Sequence, residues 1–206
     1  MSTAQNMLDD LNDRINDAAN AQVSAAIKLV YLNRGLAAMF PKIYRVVSDT
    51  TLVTVAGQWE YTIPAVVGDN TKMLRIDLAD AYGRNTALDS FEILPTQAGR
   101  KLILASAPSV SGRAFRFVAA KQLTQFAAAG DTYDGPPGTE ELPVWYALGL
   151  VEARRVDDRA DYTRYSTVAA QNGVDIGEVM NASQFAFAQF ELLLDRFAMP
   201  LPAQAG

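Results

Sequence analysis

Asp131-Thr-Tyr-Asp134-Gly-Pro-Pro-Gly138-Thr-Glu140-Glu141-Leu142-Pro143-Val-Trp145-Tyr146-Ala-Leu148-Gly-Leu150-Val-Glu152-Ala-Arg154-Arg155 joins an acidic turn to an amphipathic helix. It falls where apolar alternation gives way to helical spacing. Pro143 suits the first turn of a helix, where its missing N–H costs nothing. Glu140 and Glu141 suit the positive end of the same helix. Leu142, Trp145 or Tyr146, Leu150, Ala153 and Val156 form its apolar stripe. The spacing carries this helix on through Tyr162 and Tyr165 to a stop at Asn172–Gly173. A last helix is predicted over Ile176–Met199, ended by Pro200. Ile176, Met180, Ser183, Phe187, Phe190, Leu194 and Phe197 keep steps of four and three along it.

Upstream of the turn, Tyr44 to Leu123 reads as β. Thr50–Val55 is β-branched, and Gln58–Pro64 alternates with Trp59, Tyr61 and Ile63 on one face. Lys72–Leu78 alternates again, Ala81–Asn85 is a hairpin signal, and short apolar runs follow at Phe91–Leu94, Leu102–Ala105 and Arg113–Ala120. Further upstream, Leu11, Ile15, Ala18, Gln22, Ala25, Leu29, Leu32, Leu36 and Met39 mark one face of a helix that Pro41 ends. A break near Asn20–Gln22 or at Gly35 is open. The expected fold is α+β. N- and C-terminal helices pack as a bundle, with a small antiparallel β-sandwich or barrel inserted between them. The chain is read as a single domain, with 1–43 helical, 44–125 β, 126–140 a hinge loop, 141–200 helical and 201–206 a tail.

Composition narrows the chemistry. The 206 residues are 50% hydrophobic and include no cysteine and no histidine. Disulfides, thiol nucleophiles, Ser-His-Asp arrangements and histidine-bearing metal sites are thereby excluded. The net charge of −5 argues against a general basic face for gripping nucleic acid. The N-terminus has no secretory pattern, and no run of about eighteen apolar residues predicts a membrane span. A soluble protein made in a cytoplasm is expected.

Asp131, Asp134, Glu140 and Glu141 gather four acids near one turn, but their spacing does not match a calcium loop. Turn formation and helix-end electrostatics account for them. Asp157, Asp158 and Asp161 alternate with Arg154, Arg155, Arg159 and Arg164. Such pairs make a solvated face or an ion-paired contact with a neighbouring subunit. Phe187, Phe190 and Phe197 are weighed as intrachain core or subunit contact. Trp59 and Tyr61 read as sheet packing or a carbohydrate platform. No phosphate loop or dinucleotide fingerprint is present. No metal, cofactor or catalytic residue is expected, and the chain is read as no enzyme.

Three passages carry a family likeness. They are Leu32-Asn33-Arg34-Gly35-Leu36-Ala37-Ala38-Met39-Phe40-Pro41, Gly57-Gln58-Trp59-Glu60-Tyr61-Thr62-Ile63-Pro64, and Glu141-Leu142-Pro143 leading through Val144 to Arg155. In this order and spacing the chain resembles the head-to-tail adaptor proteins of tailed bacteriophages, also called connector or head completion proteins. The resemblance implies a structural virion protein in the head–tail neck, assembled in the host bacterial cytoplasm. Its implied form is a homo-oligomeric ring, a dodecamer, that docks on the portal protein and extends the DNA channel. A tail or stopper protein docks on it, and genomic DNA passes without sequence-specific binding. No membrane partner is implied. Arg154, Arg155, Asp158, Arg159, Arg164, Phe187, Phe190 and Phe197 are the expected subunit or portal contacts. The alternatives are another neck or tail-completion protein (stopper or terminator) and a β-sandwich ligand-binding module with helical flanks.

Overall fold

A computed structural model of the chain describes residues 2–20, 22–68, 71–80, 82–96, 99–165 and 176–200, with side chains for all of these except 156–165 and 176–181. The fold is α+β, with helices at both ends and antiparallel sheets between them. It divides into two compact units: Met1–Ile43 with Leu123–Met199, and Tyr44–Gln122 with Pro200–Gly206.

The first unit is helical. α1 (Ala4–Ile15) is nucleated by Thr3, whose hydroxyl accepts from Asn6 N at 3.3 Å while Asn6 Oδ1 accepts from Thr3 N at 3.0 Å. This reciprocal cap satisfies two donors that the helix start would otherwise leave unpaired. Ala4, Met7, Leu8, Leu11 and Ile15 form its buried face. Asn16, left-handed at φ 52°, stops the helix. α2 (Ala25–Met39) begins at the Ser24 cap. The break therefore spans 16–24, and Gly35 lies inside an unbroken helix. A Cβ on Gly35 would sit 2.8 Å from Pro143 Cα, so this glycine permits a close crossing of α2 over the start of α4 (Glu141–Tyr165).

The predicted stripe along residues 11–39 is interrupted accordingly. Ala18, Gln22 and Ala25 are exposed. Buried near them, with Asp17 and Val23, is Lys28, fully enclosed between α1 and α2. Its Nζ donates to Asn12 Oδ1 at 2.6 Å, Asp17 Oδ2 at 2.8 Å and Asn20 Oδ1 at 3.0 Å. Asp17 in turn accepts from Gln22 N and Val23 N, both at 3.1 Å. A buried ammonium with all its protons placed avoids the heavy cost of an unpaired interior charge.

α5 (Ile176–Arg196) packs along α4. Ser183, Phe190 and Leu194 of the expected seam are buried, and Ser183 Oγ donates to Gly149 O at 2.9 Å. A Cβ on Gly149 would come 2.8 Å from the Phe187 ring, so the two helices approach closely here as well. The side chains of Ile176 and Met180, the stop at Asn172–Gly173 and the tail 201–206 lie outside the described residues.

The second unit holds β1 (Arg45–Asp49), β2 (Glu60–Thr62), the short α3 (Ala65–Gly68), β3 (Thr71–Ala79), β4 (Asn85–Ala87), β5 (Phe91–Thr96), β6 (Gly99–Leu104) and β7 (Phe115–Lys121). All pairings are antiparallel, in two sheets ordered β1-β7-β3-β4 and β2-β6-β5. One core joins them: Tyr61, Leu102 and Leu104 from the smaller sheet meet Met73, Ile76, Phe115 and Phe117 from the larger. Tyr61 stacks edge-on against Phe115 at 5.0 Å between centroids. The run Thr50–Val55 forms only an isolated bridge, Val53 to Ala114, and β1 lies ahead of it. Leu52 O accepts from Phe115 N at 2.9 Å and Thr54 N donates to Arg113 O at 2.8 Å, so the run lies along the approach to β7 without a regular ladder.

Candidate interaction surfaces

The acidic turn is a brace. Asp131 Oδ2 accepts from Ala127 N at 2.6 Å and Ala128 N at 2.9 Å, and Asp134 Oδ1 accepts from Thr124 N at 3.0 Å. Ala4 N and Gln5 N, orphan donors of the first turn of α1, are satisfied by Asp131 O and Ala129 O at 2.9 and 2.8 Å. Asn33 on α2 holds the same segment from the other side. Its amide donates to Phe126 O at 2.9 Å and accepts from Phe126 N at 2.8 Å. Tyr133 is buried beneath, its hydroxyl hydrogen-bonded to the Thr139 hydroxyl at 2.6 Å. Burial pushes its phenol up to about 12, against the lowering effect of that hydrogen bond; Glu140 and Asp134 add to the rise. Among the described residues no group of three or more acids is placed to hold a metal ion.

Of the expected contact residues, Phe190 is 2% exposed and packs edge-on against Tyr146 at 5.1 Å, within the core of its own unit. Phe187 packs on the same tyrosine at 5.4 Å and Phe197 is half-buried. At the α4–α5 groove Gly149 lets the Phe187 ring approach closely. Arg155 also works inside the chain. It pairs with Glu152 at 2.7 Å, donates to Ile15 O at 3.0 Å and bonds the Gln22 side chain, tying α4 to the end of α1. Arg154 is half-buried. The side chains of Asp157, Asp158, Arg159, Asp161 and Arg164 lie outside the described residues.

Among the described residues, the large exposed apolar side chains of α5 are Phe185 and Leu192, 57% and 61% accessible and two turns apart. Phe185 meets Trp145 of α4 edge-on at 6.0 Å. Arg14 of α1 lies 4.3 Å above the same indole and is gripped at 2.9 and 3.0 Å by Asp10. Three helices thus build one braced aromatic patch. Phe185 and Leu192 stand outside the seam, so their signal was the widening of the apolar face beyond the heptad.

In the β unit, Trp59 and Tyr61 part company. Tyr61 is core, and its hydroxyl closes the turn before it by donating to Gln58 O at 2.9 Å and accepting from Val55 N at 3.1 Å. Trp59 precedes the strand and is 55% exposed. A cleft of about 440 Å³ in the same unit is lined by Leu78, Leu88, Asp89, Ser90, Ser106 and Arg113 among others. The outer face of the larger sheet carries Arg75 and Arg116, both exposed, around Asp77, which is buried and ion-paired to Arg75. Among the described residues no helix is long and apolar enough to cross a membrane.

No protein-family model matches the chain, and no curated protein does. Among solved structures, one similar chain comes from "Neck of empty GTA particle computed with C6 symmetry". It is 13% identical, with 100% of this chain and 97% of that one covered and a TM-score of 0.30. A likeness at that level carries no argument about the role of this chain.

Proposed function

We propose that the chain is a structural neck protein of a tailed phage or phage-like particle. In this reading it forms a ring between portal and tail, extends the DNA channel, gives the tail its docking surface and catalyses no reaction. The observation that carries the reading is the braced patch of Arg14, Trp145 and Phe185, an exposed aromatic surface built by three helices and backed by a full core. Large aromatics held in place with one face free suit protein–protein contact. The three passages that resemble head-to-tail adaptors support it further. They fall at the end of α2, at the turn into β2 and on the first half of α4.

Electron microscopy of the purified chain, alone and mixed with portal particles, tests the reading. Rings, in solution or on the portal, are the expected result; a chain that stays monomeric in both conditions overturns it. A stopper or terminator role is separated by the same images, since it places the chain further from the portal.

Exposure of Trp59 favours the second reading, a ligand-binding module. Under it, Trp59→Ala loses carbohydrate or peptide binding while the fold persists. Equal binding by both forms removes it.

A further inference from the structure

The two units carry opposite net charge. The helical unit has nine Lys and Arg against sixteen Asp and Glu, whereas the β unit has nine against seven. Like units therefore repel and unlike units attract. Charge beyond a Debye length of about 8 Å is screened at physiological salt, so the sign of the contacting faces decides.

Those faces are on opposite units. The register pairs Val46 with Ala120, Ser48 with Val118, Lys72 with Ala120 and Asp77 with Arg116, which places Val46, Lys72, Arg75, Val118 and Arg116 on the outer side of the larger sheet. Val46 is 57% exposed there, and Asp77, the acid on that face, is 1% exposed beneath Arg75. The face carries Val46 and Ser48 on β1, Arg116 and Val118 on β7, and Lys72 and Arg75 on β3, so its exposed charge is cationic. On the helical unit, the patch of Trp145, Phe185 and Leu192 is apolar, and the charge of Arg14 above the indole is balanced by Asp10. Glu141, one turn before Trp145, and Asp13, next to Arg14 in sequence, add two exposed acids.

We infer that the occupant of the cationic sheet face is the aromatic patch, with these two acids, of a second copy of this chain. The contact is head to tail, because each copy offers one face of each kind and neither face complements itself. Contacts of that type close into rings or run on as filaments. The inference deepens the ring reading by naming the contact, and rests on that reading only for closure.

Sedimentation velocity of the full chain over a concentration series tests it. Lys72→Glu with Arg116→Glu reverses the sheet face, leaving the Arg75–Asp77 pair intact. Asp13→Lys with Glu141→Lys reverses the patch. Each double variant is expected to raise the half-assembly concentration about tenfold or more. An equimolar mixture of the two, or one chain carrying all four changes, restores assembly, since the reversed faces again match. Reversed variants that assemble like the wild type overturn the contact and leave the ring reading standing. Filaments in place of rings, with the same loss and rescue, uphold the contact and overturn the ring. A wild type that never self-associates, alone or on portal particles, overturns both. If the sheet variant instead loses duplex DNA in a mobility shift and keeps its self-association, the face belongs to nucleic acid and the inference falls.

Discussion

Lys28 Nζ lies 2.8 Å from the Asp17 carboxylate, and neither side chain is more than 2% exposed. This pair closes the turn between α1 and α2. Asp17→Ala leaves an interior ammonium and two backbone N–H groups short of their acceptor. It is expected to lower unfolding free energy by about 3–5 kcal/mol. Lys28→Met in the Asp17→Ala background should recover part of that loss, because the uncompensated charge goes with it. Urea unfolding of the two single variants and the double variant measures the coupling. Strictly additive losses would show that the pair is not the source.

Gly35→Ala should destabilise although alanine is the better helix former. The propensity gain is about 1 kcal/mol. The new methyl would meet Pro143 backbone at 2.8 Å, and overpacking against main chain costs about 1–3 kcal/mol. At Gly149 the nearest atoms to a new methyl belong to the Phe187 ring, a side chain that can shift where backbone cannot, so its loss should be smaller. Melting temperatures rank the two; a Gly35→Ala protein as stable as the wild type contradicts the close crossing.

Alkaline pH should weaken the helical unit through Tyr133. Its phenol is raised in the folded chain from the ordinary 10.0 to about 12. The stabilisation is complete below the unfolded value and is lost as pH rises from 10.0 to about 12. Tyr133→Phe cannot ionise. It should begin about 1 kcal/mol less stable, for want of the Thr139 hydrogen bond, and gain on the wild type across that window. Unfolding curves taken between neutral pH and the alkaline limit test this; a constant gap at all pH values contradicts it.

Two aromatics on α5 should separate stability from assembly. Phe190→Ala removes a buried ring and is expected to cost about 3–5 kcal/mol. Phe185→Ser removes an exposed one and should shift stability by no more than about 0.5 kcal/mol. If the aromatic patch is a docking surface, Phe185→Ser nevertheless weakens self-association. Calorimetry and sedimentation on the same samples decide; unchanged association of Phe185→Ser argues against the patch.

Periodicity made the helix–strand–helix order legible, because an amphipathic stripe and an alternating strand follow from which faces are buried. Pro143 and the acids around it located the start of α4 for the same local reason. Lys28 was illegible. A lysine at that spacing reads as solvent-facing until Asn12, Asp17 and Asn20 converge on it in three dimensions. Gly35 misled as a breaker, since its value lies in what it lets approach. Phe190 and Phe185 share one helix and similar chemistry, and the packing of α5 on α4, with Phe190 against Tyr146 in the core, decides which is covered. The Asn33–Phe126 clasp joins residues 93 apart, a pairing no local pattern announces.

That clasp also sets an order of events during synthesis. The strands of the β unit all come from one continuous stretch, Tyr44 to Gln122, which leaves the ribosome before the second part of the helical unit. The helical unit is split around it. α1 and α2 emerge first yet wait for Phe126, Ala129 and Asp131 to reach their open donors. The apolar sides of the earliest helices thus stay uncovered until the last third of the chain has been made, which makes the nascent N-terminus the stage at which a chaperone has most to protect.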